Sequence, residues 1–108
     1  MKDDLAFIQH IQDEVKFILE ATKGIDFENI ITSEILKRAI LRSLEIIGEA
    51  AKKVSNDFKA EHPSIKWKEM AGLRDKLIHF YFGVDWNTVW NVIVVEIPEL
   101  KNELNQLS

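Results

Sequence analysis

The sequence contains no cysteine, which excludes disulfide bridges, zinc–thiolate sites and thiol nucleophiles. Only 4 Gly and 2 Pro occur in 108 residues, too few for a strand-rich fold with many tight turns. No apolar run approaches the ~20 residues that a membrane-spanning helix requires. The N-terminus "MKDDLAFIQH" is too acidic for a signal peptide. We therefore expect a helical, cytoplasmic protein that makes no use of a membrane.

Composition and charge are those of a globular protein with an uneven charge distribution. The chain is 46% hydrophobic and 30% charged, and its length predicts a single domain, 1–108, with one core. Net charge is −4, yet residues 37–76 hold 10 basic and 6 acidic side chains. An acidic protein is not an obvious nucleic-acid binder, so this middle segment is either a local basic surface or a set of solvated helix faces.

Apolar residues recur at spacings of three and four, which predicts helices. The first helix is predicted over residues 4–22. The second has the clearest stripe, which consists of Leu36, Ile40, Leu44, Ile47, Ala51, Val54 and Phe58. Beside it runs a second apolar row made of Ile35, Ala39, Ile46 and Ala50. Thr32 or Ser33 is suited to cap this helix. Two stripes on one helix predict burial on two sides, the second of them against another helix or a symmetry mate.

Two further helices are predicted in the C-terminal half. Pro63 and Ser64 are suited to begin the third helix, and Gly83 is suited to end it. Asp85 is suited to cap the fourth. Pro98 lacks an N–H and should kink or interrupt that helix. The fold class predicted is all-α, an up-down bundle of four helices.

The sequence does not suggest a metal or cofactor site. The Glu-x-x-His pairs of four-helix carboxylate sites are absent. His10 with Glu14, and Glu61 with His62, form no larger cluster and are interpreted as surface or helix-end groups. No Gly-rich phosphate loop is present. Chemistry must therefore come from the stretch "LRDKLIHFYFGVD", residues 73–85, if it comes from anywhere.

Arg74 and His79 in that stretch suit metal-independent cleavage of RNA. An Arg grips phosphate with two parallel hydrogen bonds, while a His moves protons near neutral pH. On one helix the two would lie about 140° apart, which argues against a site made by a single helix. Either two subunits bring them together or the helix end unwinds. A plain amphipathic protein–protein module would leave the same stretch as an ordinary charged turn.

"GLRDKLIHFYFGVD" resembles the R-x4-H-x-Y signature of HepT-like HEPN toxins, the ribonuclease partners in HepT–MntA toxin–antitoxin pairs. "IIGEAAKKVSNDF", "HPSIKWKEMAGLRDKLIH" and "VDWNTVW…IPELKNEL" resemble the second, third and fourth helices of that family, so residues 30–105 are covered. The resemblance implies a HEPN-type bundle that acts as a homodimeric endoribonuclease in a type VII-like pair and leaves a 2′,3′-cyclic phosphate.

The resemblance also implies a role for each residue of the signature. Arg74 and His79 would be catalytic and would meet their symmetry copies in one cleft. Asp75 stands where the family usually has a polar residue, often Asn, and would either orient His79 or weaken RNA binding. Tyr81 would receive AMP from an MntA-like nucleotidyltransferase antitoxin, which would silence the toxin. Gly48 and Glu49 are expected to have a packing or dimer role. The alternative is a non-catalytic helical binding subunit of a nucleotidyltransferase partner.

Overall fold

The computed structural model describes residues 2–77 and 83–107, and every element within those ranges is helical. None of these helices combines the length and apolar content needed to cross a lipid bilayer. In chain order the elements are α1 (Lys2–Ala21), α2 (Phe27–Ile31), α3 (Glu34–Lys53), α4 (Asn56–Glu61), α5 (Trp67–Ala71), α6 (Leu73–Leu77), α7 (Trp86–Asn91), a π-helical segment (Val92–Glu96) and α8 (Ile97–Asn105).

The four predicted helical runs are present, but two of them contain a break that was not predicted. The second run bends at residues 54–55, so that α4 follows α3 as a separate short helix capped by Ser55, which accepts a hydrogen bond from the Phe58 N–H. The third run begins at Trp67, later than Pro63 and Ser64, and Gly72 divides it into α5 and α6. Apolar spacing alone does not reveal such breaks, because the stripe continues across them.

Helix α3 is the centre of the bundle. It contacts α1, α2, α5 and α6, while α1 also contacts α8, which confirms that α3 has several neighbours. Ser33 is its cap, since the Ser33 side chain accepts a hydrogen bond from the Leu36 N–H. Its predicted stripe is buried from Ile40 to Val54, while Leu36 and Phe58 at the two ends are only partly buried. The largest fully enclosed apolar side chains of the core are Ile11, Ile18, Ile30, Ile40, Leu44, Ile47, Leu77, Val89, Val92, Ile97 and Leu104.

The start of α1 is fixed by a buried carboxylate. Asp4 is 2% exposed, and its Oδ2 and Oδ1 accept 2.7 Å hydrogen bonds from the Ser55 hydroxyl and backbone N–H. The hydroxyl bond first, and the backbone bond second, lower the pKa of Asp4. The apolar spacing of the first helix predicts a stripe of Leu5, Ile8, Ile11, Val15, Ile18 and Thr22, but Leu5 is exposed. It lies about 100° from the centre of that stripe, whereas Asp4 lies close to it.

The last helical run confirms the predicted interruption near Pro98. After α7 the hydrogen bonding widens to a π register, with the Ile97 N–H donating to the Val92 carbonyl. Pro98 then stands in the first turn of α8, where an N–H would have no partner within that helix. Ile97, Leu100 and Leu104 remain buried beyond this point. The proline is therefore accommodated without ending the helical run.

Candidate active site

Helix α6 carries the first half of the candidate signature. Its Leu73 and Leu77 are buried in the core, whereas Arg74, Asp75 and Lys76 between them are exposed. Burial of the two leucines, one turn apart, fixes which face of this short helix points outward. The sequence therefore presents Arg74 and Asp75 to solvent from a helix that is firmly packed on α3.

Gly48 sets how closely α5 approaches α3. A Cβ placed on Gly48 would lie 3.3 Å from the Met70 carbonyl oxygen and 3.6 Å from that of Ala71. A larger side chain would thus press directly on the backbone of α5, one residue before the Gly72 bend and three before Arg74. This contact gives Gly48 the packing role expected from the sequence.

Arg74 forms an ion pair with Glu45 of α3. The distance between Arg74 Nε and Glu45 Oε2 is 3.8 Å, and the two side chains are 58% and 32% exposed. Sequence reasoning did not single out Glu45. The sequence contained only a weak indication, since Glu45 lies on the same polar side of α3 as Glu49, four residues later. Its pairing with Arg74 depends on how α6 packs against α3.

Lys76 and Asp75 complete the described part of α6. Lys76 Nζ donates a 2.6 Å hydrogen bond to Glu96 Oε2 in the π-helical segment, which ties α6 to the last helical run. Asp75 is exposed beside Arg74.

His79 and Tyr81 lie outside the described residues, as do Phe80 and Phe82. The ends of that segment are nevertheless fixed. The Asp85 N–H donates a 3.1 Å hydrogen bond to the Leu77 carbonyl, which joins the end of α6 to the residue that precedes α7. Gly83 has φ +84°, a left-handed conformation that favours Gly. Asp85 caps α7 by accepting from the Thr88 N–H, as predicted.

The aromatic side chains of α7 are packed rather than open. Trp90 meets Phe27 edge-on, with ring centroids 6.0 Å apart. Lys37 of α3 places its Nζ 5.7 Å from the centre of the Trp86 ring. Both tryptophans are partly buried against the core. Their described contacts therefore hold α7 to α2 and α3.

The His and acidic pairs elsewhere have local structural contacts. His62 ends α4, its carbonyl accepts from Trp67 Nε1, and its ring lies 4.6 Å from that of Phe58. Within residues 2–77 and 83–107, no three His, Asp or Glu side chains come together in a way that could hold a metal ion.

An all-α bundle that presents an Arg between two buried leucines has the helical architecture of a HEPN domain. The family model described as "Ribonuclease HepT-like" matches residues 11–107. The chain belongs to this HepT-like family.

Relatives with assigned names match nearly the full length of the chain. "Putative RNase TTE0752" of Caldanaerobacter subterraneus subsp. tengcongensis is 46% identical over 99% of this chain and 96% of its own. "Probable ribonuclease HepT" of Thermococcus cleftensis is 45% identical over 94% of this chain and 92% of its own. "Putative RNase MJ0125" of Methanocaldococcus jannaschii is 45% identical over 98% and 91%. No solved structure matches the chain.

Proposed function

We propose that this protein is a HEPN ribonuclease toxin whose residues 1–108 act as one domain. The observation that carries the proposal is the placement of Arg74, held at the surface of α6 by two buried leucines and paired with Glu45. Family membership and the names of the relatives support the same activity. An always-charged guanidinium in this position is suited to a phosphodiester.

The proposed reaction uses only the RNA and two side chains. His79 takes the proton from a ribose 2′-OH, and the 2′-oxygen attacks the adjacent phosphorus. The bond from phosphorus to the 5′-oxygen of the next nucleotide breaks, that oxygen takes a proton from water, and His79 returns its proton to solvent. Arg74 stabilises the negative charge that builds on the phosphoryl oxygens. The products are a 2′,3′-cyclic phosphate and a 5′-hydroxyl, and no metal ion is required because the nucleophile belongs to the substrate.

A homodimer would bring the Arg and His side chains of two chains into one cleft. Ile35 on α3 is 85% exposed, and Ile46 in the same apolar row is only partly buried. An exposed isoleucine on a helix whose opposite face fills the core is suited to contact with a second copy. This surface supports the proposed dimer.

Cleavage in the presence of EDTA tests the proposed function. Purified wild-type protein is expected to cut single-stranded RNA in excess EDTA and to leave cyclic-phosphate ends, which are identified by mass spectrometry of the fragments. RNA of the same sequence with 2′-O-methyl groups is the matched control and should stay intact. Intact unmodified RNA would contradict the proposal and favour the non-catalytic binding subunit, whereas cleavage only with added metal would contradict the metal-independent mechanism.

Regulation by an MntA-like nucleotidyltransferase is the second part of the proposal. AMP on Tyr81 would add bulk and negative charge near Arg74, where RNA phosphates must bind. Co-expression with such an enzyme is expected to increase the mass of the protein by one or more AMP units and to stop RNA cleavage. Tyr81→Phe should keep both its unmodified mass and its activity. Modification of the Phe variant to the same extent would rule out Tyr81 as the target.

A further inference from the structure

Glu45 is the charged side chain that faces Arg74 from the neighbouring helix α3. We infer that Glu45 is a positioning residue, which holds the Arg74 guanidinium so that its terminal nitrogens face the RNA phosphate. This role rests on the proposed ribonuclease function and adds to it a third residue, on a different helix from the signature.

The geometry of the pair supports positioning over simple charge neutralisation. The ion pair is made by Nε, the nitrogen nearest the aliphatic stem of Arg74, at 3.8 Å. A guanidinium is planar and presents its donors in a fixed fork. At this distance the carboxylate makes no hydrogen bond, but it attracts the Nε edge of the fork electrostatically and leaves the two terminal nitrogens for the bidentate contact that a phosphate favours.

Burial distinguishes Glu45 from the other acids on this side of α3. The Glu45 side chain is 32% exposed, because α6 packs beside it, whereas that of Glu49 is 59% exposed. Glu49 pairs with Arg42 at the same distance, 3.8 Å, but within α3 itself. Both are Arg–Glu pairs of equal separation, but the first is made by Nε and joins α3 to α6, whereas the second is made by the terminal Nη1 within α3. Glu49→Gln is therefore the control for loss of an Arg–Glu pair, and its dimer content relative to the wild type shows whether Glu49 has the dimer role expected from the sequence.

Kinetics of four variants test the inference: Glu45→Gln, Glu49→Gln, Arg74→Lys, and Glu45→Gln combined with Arg74→Lys. Glu45→Gln is expected to lower kcat about tenfold with KM changed less than about twofold, since orientation of a charge-stabilising group affects the transition state most. Glu49→Gln should change neither constant by more than about twofold. In the Arg74→Lys background, which has no Nε, Glu45→Gln should cause no further loss.

Three kinetic outcomes would overturn the inference. They are equal activity of the two Gln variants, higher activity of Glu45→Gln than of the wild type, and an undiminished effect of Glu45→Gln in the Arg74→Lys background. The second would mean that the carboxylate competes with phosphate for Arg74.

A measurement without RNA separates this inference from the proposed function. The chain has three arginines, Arg38, Arg42 and Arg74, so their Nε–H signals can be followed by NMR and assigned with Arg→Lys variants. The Arg74 Nε–H should exchange with water several-fold faster in Glu45→Gln than in the wild type or in Glu49→Gln. Equal exchange rates in all three proteins would overturn the positioning role, even if the wild type cleaves RNA. If the exchange rates differ but the wild type cleaves no RNA, only the proposed ribonuclease function is rejected, and Glu45 is still the residue that orients Arg74.

Discussion

Replacing His79 by Ala is expected to reduce RNA cleavage about a thousandfold, because a general base contributes roughly 10²–10⁴ to the rate. The reacting 2′-OH would lose its proton acceptor, while Arg74 would still bind the phosphate. RNA affinity, measured with a 2′-O-methyl RNA that cannot react, should change little. Initial rates on fluorescent RNA in EDTA give the first quantity, and the binding titration gives the second.

The dimer hypothesis can be tested with the same variant in mixed dimers. His79→Ala and Arg74→Ala should each be nearly inactive alone. If the Arg of one chain works with the His of the other, mixed dimers of the two variants contain one intact pair and should regain up to half of the wild-type activity. Unchanged cleavage by His79→Ala would remove it from catalysis. A mixture that stays inactive, although subunit exchange is demonstrated, would place both residues in the same chain.

Gly48→Leu is expected to destabilise the fold by about 3 kcal/mol, the upper part of the usual range for overpacking. Even a Cβ at this position lies 3.3 Å from the Met70 carbonyl, and the remaining leucine atoms would have to push α5 away from α3. For a domain of this size that loss corresponds to a fall in Tm of roughly 10–20 °C. Thermal unfolding followed by circular dichroism at 222 nm measures it.

Glu49→Leu is the matched control, since it adds the same side chain to the next residue of α3, which is exposed. Its Tm should lie within a few degrees of the wild type, because surface substitutions are usually within about 0.5 kcal/mol. A Gly48→Leu protein as stable as this control would mean that α5 can shift outward without cost. The close contact would then not determine the position of α5.

The helices were largely predictable because the apolar residues of a buried helix face recur every three or four positions in the sequence. Ile40, Leu44 and Ile47 follow the spacing of one helix face and are enclosed in the core. The breaks at Ser55 and Gly72 were not predictable in this way, because Val54 and Leu73 continue the apolar pattern on either side of them. At the first break Ser55 donates two hydrogen bonds to Asp4, 51 residues earlier in the chain. Such a long-range contact has no local signature.

The candidate site was predictable only as far as it lies in one segment. Arg74 could be selected from the residues of the stretch, and Asp75 only from the family resemblance; the structure places both on the exposed side of α6. Glu45 was missed because it meets Arg74 only through the packing of α3 against α6. The two residues are 29 positions apart in the chain. The roles of His79 and Tyr81 remain predictions from the sequence and the resemblance.

The π-helical segment before Pro98 gives the last helical run about one residue more than an uninterrupted α-helix would need between the same two ends. A π turn contains about one residue more than an α turn, so deleting one residue from Val92–Glu96 and restoring α-helical winding would leave the rotation across the segment nearly unchanged. Leu100 and Leu104, now buried at 7% and 1% exposure, would then still face the core. In an alignment of relatives, a gap of one residue in this segment would therefore mark an uninterrupted helix that keeps the same face of α8 against α1.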